Sequence, residues 1–341
     1  MDYDVLRVVW FFLIAALWIG FFFLDGFDFG VGMLLPVLGR NDVERRAIIN
    51  TIGPVWDANE MWLIVAITAM FGVFPVWYAT MFSGFYLAMV MIIVALMIRG
   101  ISFEYRSKDA RPQWRGSFDW MLAVGSLVSS FLFGLVFTNL LGGVPIDRNL
   151  NYAGGPFGWI TPYGLIGGLT MVSVFLLHGA NFLTLKLDDH MRERSRAAAR
   201  VLYIFAAVMV VILAISTYIF TDIGIRIGIN PGILPIASVA ALLLTIYFIN
   251  RNMEGWAFIM TGLNIVLTQV AFFSLMFPRV MVSSLNPAWS LTIDNTAASP
   301  AALEVMSIVA LIFIPIVVAY ESWSYYIFRK RIKADKQHLV Y

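Results

Sequence analysis

The sequence predicts an all-α polytopic membrane protein with about nine transmembrane helices. Its 341 residues are 60% hydrophobic and only 13% charged, whereas soluble domains average about 45–50% apolar and about 25% charged residues. Because one span needs about 20 apolar residues, the apolar content suffices for about nine spans. This composition excludes an ordinary soluble enzyme, a disordered chain and a fibrous chain. No basic stripe suggests a nucleic-acid partner.

Nine apolar segments follow one another along the chain, with approximate ends. They cover residues 6–36, 49–75, 77–99, 118–141, 162–187, 198–220, 232–250, 255–277 and 301–328. Only the turn region around Pro75 separates the second segment from the third, which predicts a tight hairpin. The N-terminus lacks a basic region and a cleavage motif, so the first span is expected to stay uncleaved. Residues 142–161 and 279–300 form the two long loops of the predicted outer side.

Lysine and arginine positions predict the orientation. Of the 23 basic residues, 19 fall after odd-numbered segments, including the C-terminal tail. The other 4 are Arg7, Arg148, Arg226 and Arg279. The positive-inside rule therefore places the N-terminus outside and the C-terminus in the cytoplasm.

A short pattern recurs four spans apart, as Asp25-Gly-Phe-Asp28 and His178-Gly-Ala-Asn181, each before an arginine-rich turn. We interpret it as a parallel duplication of a four-helix unit, with coincidence in a glycine-rich background as the alternative. The predicted domains are a first unit at 1–141, a second at 162–277, and a peripheral span with tail at 301–341. Gly26 and Gly30 form a small-xxx-small pair, which predicts close approach of another helix.

Four carboxylates within two neighbouring spans are the main candidates for function. Asp25 and Asp28 in the first span, and Asp57 and Glu60 in the second, are three apart and share a helix face. An ionisable group in hydrocarbon costs about 2.5–3.5 kcal/mol, so it normally faces the protein interior. Adjacent antiparallel spans can bring the two pairs together, and clustered carboxylates cannot all stay ionised, which favours a proton relay. Two alternatives remain open, namely structural ion pairs or helix caps, with Arg99 as the partner, and a cation site.

Histidine and cysteine are scarce. The absence of cysteine excludes disulfides, iron–sulfur clusters and a thiolate nucleophile. His178 is the only histidine in a predicted span, and we interpret it as a satisfied core residue, with a metal or haem ligand as the alternative. His190 and His338 are expected to be solvated. Glu304 and Glu321, near the ends of the ninth span, are expected to cap or snorkel.

Several stretches carry a family resemblance in order from about residue 3 to the tail. They are Leu24–Leu34, Gly39–Arg46, Pro54–Trp62, Phe82–Tyr86, Arg99, Phe103–Lys108, Asn139–Pro145 and Phe277–Thr292. In this combination the chain resembles subunit II of the cytochrome bd quinol oxidases of bacterial respiratory membranes. In one departure, the connection between the sixth and seventh segments is short, where longer relatives carry an insertion. Any partner contact made by that insertion is therefore in doubt.

The resemblance implies two four-helix bundles plus one peripheral helix, in the bacterial cytoplasmic membrane. It implies a complex that oxidises a membrane quinol, reduces dioxygen to water and takes protons from the cytoplasm. It places haems b558, b595 and d on a haem-bearing subunit I and adds a small single-span subunit. Asp25, Asp28, Asp57 and Glu60 would then line a hydrophilic path at the subunit interface, with Arg99 tuning or pairing with them.

The sequence supports this division of labour independently. Three haems need several axial ligands, mostly His, Met or Cys, and this chain has no cysteine and one membrane histidine. The chain alone is therefore not expected to be catalytic. A bound quinone or lipid is conceivable, and no residue pattern locates it.

Two other functions are compatible with buried carboxylates in a membrane protein. A proton-coupled secondary transporter would also show repeats and buried acids, although neither half contains a clear pair of discontinuous helices. A purely structural partner of a redox subunit would use the same residues as ion pairs. Co-purification with haem and a second membrane chain would separate the transporter from the oxidase subunit.

Overall fold

A computed structural model describes residues 2–228, 230–334 and 339. The side chain of Asp189 and the tail residue His338, with its predicted solvation, lie outside the described part. Within it the chain is almost entirely helical, as the sequence predicts. The helices are α1 Tyr3–Leu38, α2 Asp42–Ile52, α3 Trp56–Val73, α4 Pro75–Gly84, α5 Tyr86–Tyr105, α6 Pro112–Gly142, α7 Pro162–Lys186, α8 Asp189–Phe220, α9 Ile223–Ile227, α10 Ile233–Asn250, α11 Glu254–Met276, α12 Ile293–Thr296 and α13 Pro300–Ile327. Strands β1 Arg279–Met281 and β2 Leu291–Thr292 pair antiparallel.

Eight helices of the described chain are long and apolar enough to cross a membrane, namely α1, α5, α6, α7, α8, α10, α11 and α13. The predicted second segment, 49–75, corresponds mainly to α3, which is outside this set. Its first turns carry Asp57, Asn59 and Glu60, which lower its mean hydropathy. The count of nine spans therefore stays a prediction.

Two predicted segments are divided by local backbone breaks. Gly53 and Pro54 separate α2 from α3, because proline lacks an N–H and disfavours helix at the preceding residue. A second break at Phe85 separates α4 from α5. The predicted third segment, 77–99, therefore begins within the short helix α4 and continues in α5. The predicted turn at Pro75 lies where α3 ends and α4 begins.

Helix α1 is the central element of the fold, since it packs against α3, α6, α7 and α11. A cluster of aromatic rings fills the core around its N-terminal half, where Trp18 contacts Phe22 with a centroid distance of 5.8 Å and Phe137 at 4.7 Å. Phe22 also contacts Phe175 of α7, with a centroid distance of 6.4 Å, and this contact joins residues of the predicted first and second units. The division into units stays a prediction.

The prediction of close helix approach at Gly26 and Gly30 is confirmed. A Cβ built on Gly30 would lie 2.9 Å from the Cα of Gly179 in α7, and one on Gly26 would lie 2.8 Å from the ring of Phe175. Such distances leave no room for any larger residue. The small residues therefore bring the backbones of α1 and α7 into direct contact.

The two long loops combine into one layer at the predicted outer side. The Val144 N–H donates to the Val282 carbonyl oxygen at 3.0 Å, and the Ser283 hydroxyl donates to the Ile146 carbonyl at 2.7 Å. Helix α4 contacts this layer, because the Thr80 hydroxyl donates a hydrogen bond to the Leu150 carbonyl oxygen. Backbone groups of the loops are thus paired with each other.

At the opposite end, Glu44 of α2 joins three segments. Its carboxylate accepts a hydrogen bond from Arg194 of α8 at 2.7 Å and one from the Arg40 N–H at 2.8 Å. His190 lies 3.0 Å from the second oxygen. Burial alone would raise the pKa of Glu44, but these hydrogen bonds lower it to about 2.

The stabilising contribution of Glu44 is expected to disappear in acid. Because its pKa falls from 4.5 to about 2 on folding, ionised Glu44 stabilises the fold above the unfolded value, and the contribution is lost as the pH drops toward about 2. We expect the Tm difference between the native complex and a Glu44→Gln variant to be largest near neutral pH and to shrink below pH 4.5. The exposed neighbour Glu193 provides the control, Glu193→Gln. A Tm difference independent of pH would contradict the assignment.

Candidate functional site

Four of the five predicted site residues lie together in the interior. Asp25 and Asp28 of α1 and Arg99 of α5 are fully buried, with 0% exposure, and the side chain of Glu60 of α3 is 18% exposed. The Arg99 Nη2 lies 3.4 Å from Asp25 Oδ1 and 3.9 Å from Asp28 Oδ2, while its Nη1 contacts Glu60 Oε1. We call these four residues the Arg99 cluster.

The Arg99 cluster forms because three helices converge. Antiparallel packing of α1 and α3 brings Glu60 of α3 into the same ionic cluster as Asp25 and Asp28 of α1. Gly125 of α6 lies against the backbone of Ala95 and Arg99, which lets α5 pack closely against α6. Phe29 and Phe103 then cover the guanidinium, with ring centroids 4.7 and 5.6 Å from its central carbon. The aromatic faces stabilise the cation and exclude bulk water from it.

Charge does not balance within the Arg99 cluster. One guanidinium faces three carboxyl groups, and a buried uncompensated charge costs several kcal/mol. In addition, Asp25 Oδ2, Asp28 Oδ1 and Arg99 Nε have no hydrogen-bond partner in the described part of the chain. Buried polar atoms of this kind normally bond to something. The cluster therefore has capacity for further protons or water molecules.

Asp57 does not join the cluster, so the expected convergence of all four carboxylates is wrong for this residue. Its side chain is exposed, as are those of Met61 and Ile64, which lie one and two turns further along α3. This stripe of α3 faces away from α1, and of the two carboxylates Glu60 is the one that turns inward. The sequence spacing places Asp57 and Glu60 on adjacent positions of the helix surface but does not fix which of them meets α1.

Two further residues extend the cluster, and the sequence analysis missed their role. The Asn59 Nδ2 donates to Asp28 Oδ2 at 2.6 Å. The hydroxyl of Tyr325 in α13 donates to Asn59 Oδ1 at 2.7 Å. In the sequence, Asn59 shows only as an amide next to Glu60. Tyr325 carried no signal beyond a spacing of four from Glu321, which places both on one face of the ninth span.

Glu321 neither caps nor snorkels. It is 6% exposed and accepts a hydrogen bond from the indole of Trp62 in α3 at 2.6 Å. The position lies six residues before the end of α13, so the carboxylate faces α3 instead of the membrane surface. In the sequence, Trp62 shows only as an aromatic residue close to Glu60, and in the structure it is the partner of Glu321.

His178 is engaged at both ring nitrogens. Its Nδ1 lies 2.8 Å from the Thr261 hydroxyl, and its Nε2 lies 3.3 Å from the Phe23 carbonyl oxygen. The ring stacks on Phe258 with a centroid distance of 4.6 Å. An axial haem ligand needs a free ring nitrogen directed at open space, so this site does not fit a haem. His178 instead joins α7 to α1 and α11.

The described residues contain no group of three His, Cys, Asp or Glu side chains arranged to hold a metal ion. An apolar cavity of about 220 Å³ lies between α6, α7, α8, α10 and α11. Its polar wall includes Tyr163, Thr217, Ser238 and Asn264. The cavity is separate from the Arg99 cluster, since none of the cluster residues lines it.

Comparison with known proteins supports the resemblance. The family model described as cytochrome bd terminal oxidase subunit II matches residues 6–328. The chain is 43% identical to cytochrome bd ubiquinol oxidase subunit 2 of Bacillus subtilis, over 98% of this chain and 99% of that protein. It is 36% identical to cytochrome bd-I ubiquinol oxidase subunit 2 of Escherichia coli, over 96% of this chain and 95% of that protein.

The fold is also that of a solved oxidase. A chain in the structure of bd oxidase from Geobacillus thermodenitrificans matches with a TM-score of 0.78 and 18% identity, covering 95% of this chain and 98% of that chain. At this identity the match concerns the fold alone. These similarities do not favour a secondary transporter. With the family model spanning nearly the whole sequence, the chain belongs to the cytochrome bd terminal oxidase subunit II family.

Proposed function

We propose that this chain supplies protons from the cytoplasm to the oxygen-reducing site of a quinol oxidase and scaffolds the subunit that holds that site. Membership of the family makes it a subunit of a cytochrome bd-type oxidase in a bacterial membrane. The haems b558, b595 and d on subunit I would supply electron transfer from quinol and reduction of dioxygen. This chain's own contribution is the handling of protons by its side chains.

The observation that carries the proposal is the graded burial of the carboxylates. Asp57 is exposed at the first turn of α3, Glu60 is 18% exposed, and Asp25 and Asp28 are completely buried. Side chains three apart on a helix have Cβ atoms about 5–6 Å apart, which one water molecule can bridge. A proton bound at Asp57 would thus pass to Glu60 and then to the buried pair.

Arg99 would stabilise whichever carboxylate is ionised during this transfer. Its guanidinium reaches Glu60 on one side and Asp25 on the other, and it remains charged under all physiological conditions. A fixed positive charge between two acids lowers the cost of moving a negative charge from one to the other. The purely structural alternative uses the same contacts but predicts no effect on turnover once the complex has assembled.

Replacement of Glu60 tests the two roles. We expect Glu60→Gln to lower quinol-dependent oxygen consumption by about one to two orders of magnitude, with the haem spectrum of the purified complex unchanged. Asp57→Asn is expected to have a smaller effect, because water can replace an exposed donor. Glu104→Gln, at an exposed position near the end of α5, is the control. Unchanged turnover in Glu60→Gln would remove it from the path, and loss of haem and assembly would favour the structural role.

The remaining assignments follow from the same proposal. The charge asymmetry supports an outside N-terminus and a cytoplasmic C-terminus, which puts Asp57 near the proton source. Subunit I, a small single-span subunit, quinol and membrane lipids are the proposed partners. The apolar cavity between α6, α7, α8, α10 and α11 has walls suited to the hydrocarbon tail of a quinone or lipid.

A further inference from the structure

Helix α13 is peripheral, yet it carries two polar side chains toward the protein interior. Most of its residues are exposed, for example Leu311 at 78%. In contrast, Glu321 is buried and Tyr325 is half-buried, and the two lie one turn apart. Both face α3, where Glu321 meets Trp62 and Tyr325 meets Asn59. A helix that packs on the protein only through apolar contacts would not need Glu321 and Tyr325 on its inner face.

The contacts of Asn59 fix the orientation of its amide. An amide has one acceptor oxygen and one donor nitrogen. Tyr325 donates to the oxygen, so the nitrogen points at Asp28 and donates to Oδ2. Rotation of the amide by half a turn would aim its oxygen at the Asp28 carboxylate, and two acceptors would then oppose each other. The hydroxyl of Tyr325 therefore stabilises, by donating to the amide oxygen, the orientation that suits an ionised Asp28.

We propose that Tyr325 is a positioning residue for proton transfer, which acts through Asn59 to hold Asp28 ready to receive a proton. This inference rests on the proposed proton supply and adds a role for α13 to it. Asp28 has its other oxygen unpartnered in the described part of the chain. Donation from Asn59 fixes Oδ2 and leaves Oδ1 as the atom that accepts the proton.

Removal of the Tyr325 hydroxyl leaves the other attachments of α13 in place. Trp62 still donates to Glu321, and the indole of Trp10 still donates to the Ser307 hydroxyl at 2.9 Å. At the start of the helix, the Tyr3 hydroxyl donates to the Ala298 carbonyl at 2.8 Å. Tyr325→Phe therefore removes the hydrogen bond that holds the Asn59 amide oxygen without detaching α13.

The test measures kcat, expressed per haem, for the purified complex carrying Tyr325→Phe. We expect kcat to fall about fivefold, the typical worth of one hydrogen bond, with the KM for quinol and the haem spectrum unchanged. Tyr326→Phe, at the adjacent and 63% exposed position, is the matched control and should retain native turnover. Unchanged kcat in Tyr325→Phe, or a complex that does not assemble, would overturn the proposal.

A double-mutant cycle separates positioning from a general structural effect. If Tyr325 acts through Asn59, Tyr325→Phe has no further effect on kcat in an Asn59→Leu background. Equal losses in both backgrounds would overturn the proposal. Asp28→Asn separates this inference from the function on which it rests. If Asp28→Asn slows turnover and Tyr325→Phe does not, the positioning role alone is wrong. If Asp28→Asn leaves turnover unchanged, the proton supply itself is wrong.

Discussion

Arg99→Gln is expected to destabilise the assembled complex by about 3–5 kcal/mol, the usual result of removing one partner from a buried ionic network. The guanidinium is the only cation in contact with Asp25, Asp28 and Glu60 among the described residues. Without it, three buried carboxyl groups face each other with no positive charge between them. The amount of haem-containing complex in membranes and its Tm in detergent would both fall.

A matched control and a partial rescue sharpen this prediction. Arg111→Gln removes an arginine whose side chain is 71% exposed, and it should leave assembly and Tm unchanged because exposed pairs contribute little. Adding Glu60→Gln to Arg99→Gln removes one uncompensated carboxylate and should recover part of the lost Tm. A normal Tm in Arg99→Gln would mean that the carboxylates are already neutral and do not depend on the guanidinium.

Asp28→Asn is expected to lower turnover by about a hundredfold while the complex still assembles with its haems. The substitution keeps the size of the side chain, which matters beside the seam at Gly26 and Gly30, but it removes the ability to carry a proton. The amide oxygen introduced at position 28 can still accept the hydrogen bond that Asn59 donates. Oxygen consumption with quinol as electron donor, together with the haem spectrum, measures the two effects separately.

Asp4→Asn is the control for this variant, since Asp4 lies on the same helix with a side chain that is 74% exposed. It should leave turnover unchanged. Near-native turnover in Asp28→Asn would contradict the proposed proton supply. Failure to assemble would instead assign Asp28 to the packing between α1 and its neighbours.

Local spacing predicted the main members of the cluster. Two carboxylate pairs on neighbouring spans, with Arg99 near the inner end of the next one, were sufficient to bring Asp25, Glu60 and Arg99 together. Spacing could not decide between Asp57 and Glu60, because either face of α3 could have met α1. That choice depends on the rotation of the helix, which tertiary packing sets.

The contribution of α13 could not be predicted in the same way. Tyr325 and Asn59 are 266 positions apart, and no local pattern links a tyrosine in an apolar span to an asparagine in another. The burial of Glu321 was likewise hidden, because a carboxylate near a span end is expected to reach the membrane surface. Glu321 and Tyr325 lie in the protein interior only because α13 packs on α3.

The contact between Gly30 and Gly179 has a consequence for leakage. Backbone atoms of α1 and α7 touch directly at this level, so no file of water molecules can pass between the two helices. If protons reach Asp25 and Asp28 as proposed, they would have no aqueous route between α1 and α7 at this level. The close contact at Gly30 and Gly179 would then act as a barrier to proton leakage beside the proposed path.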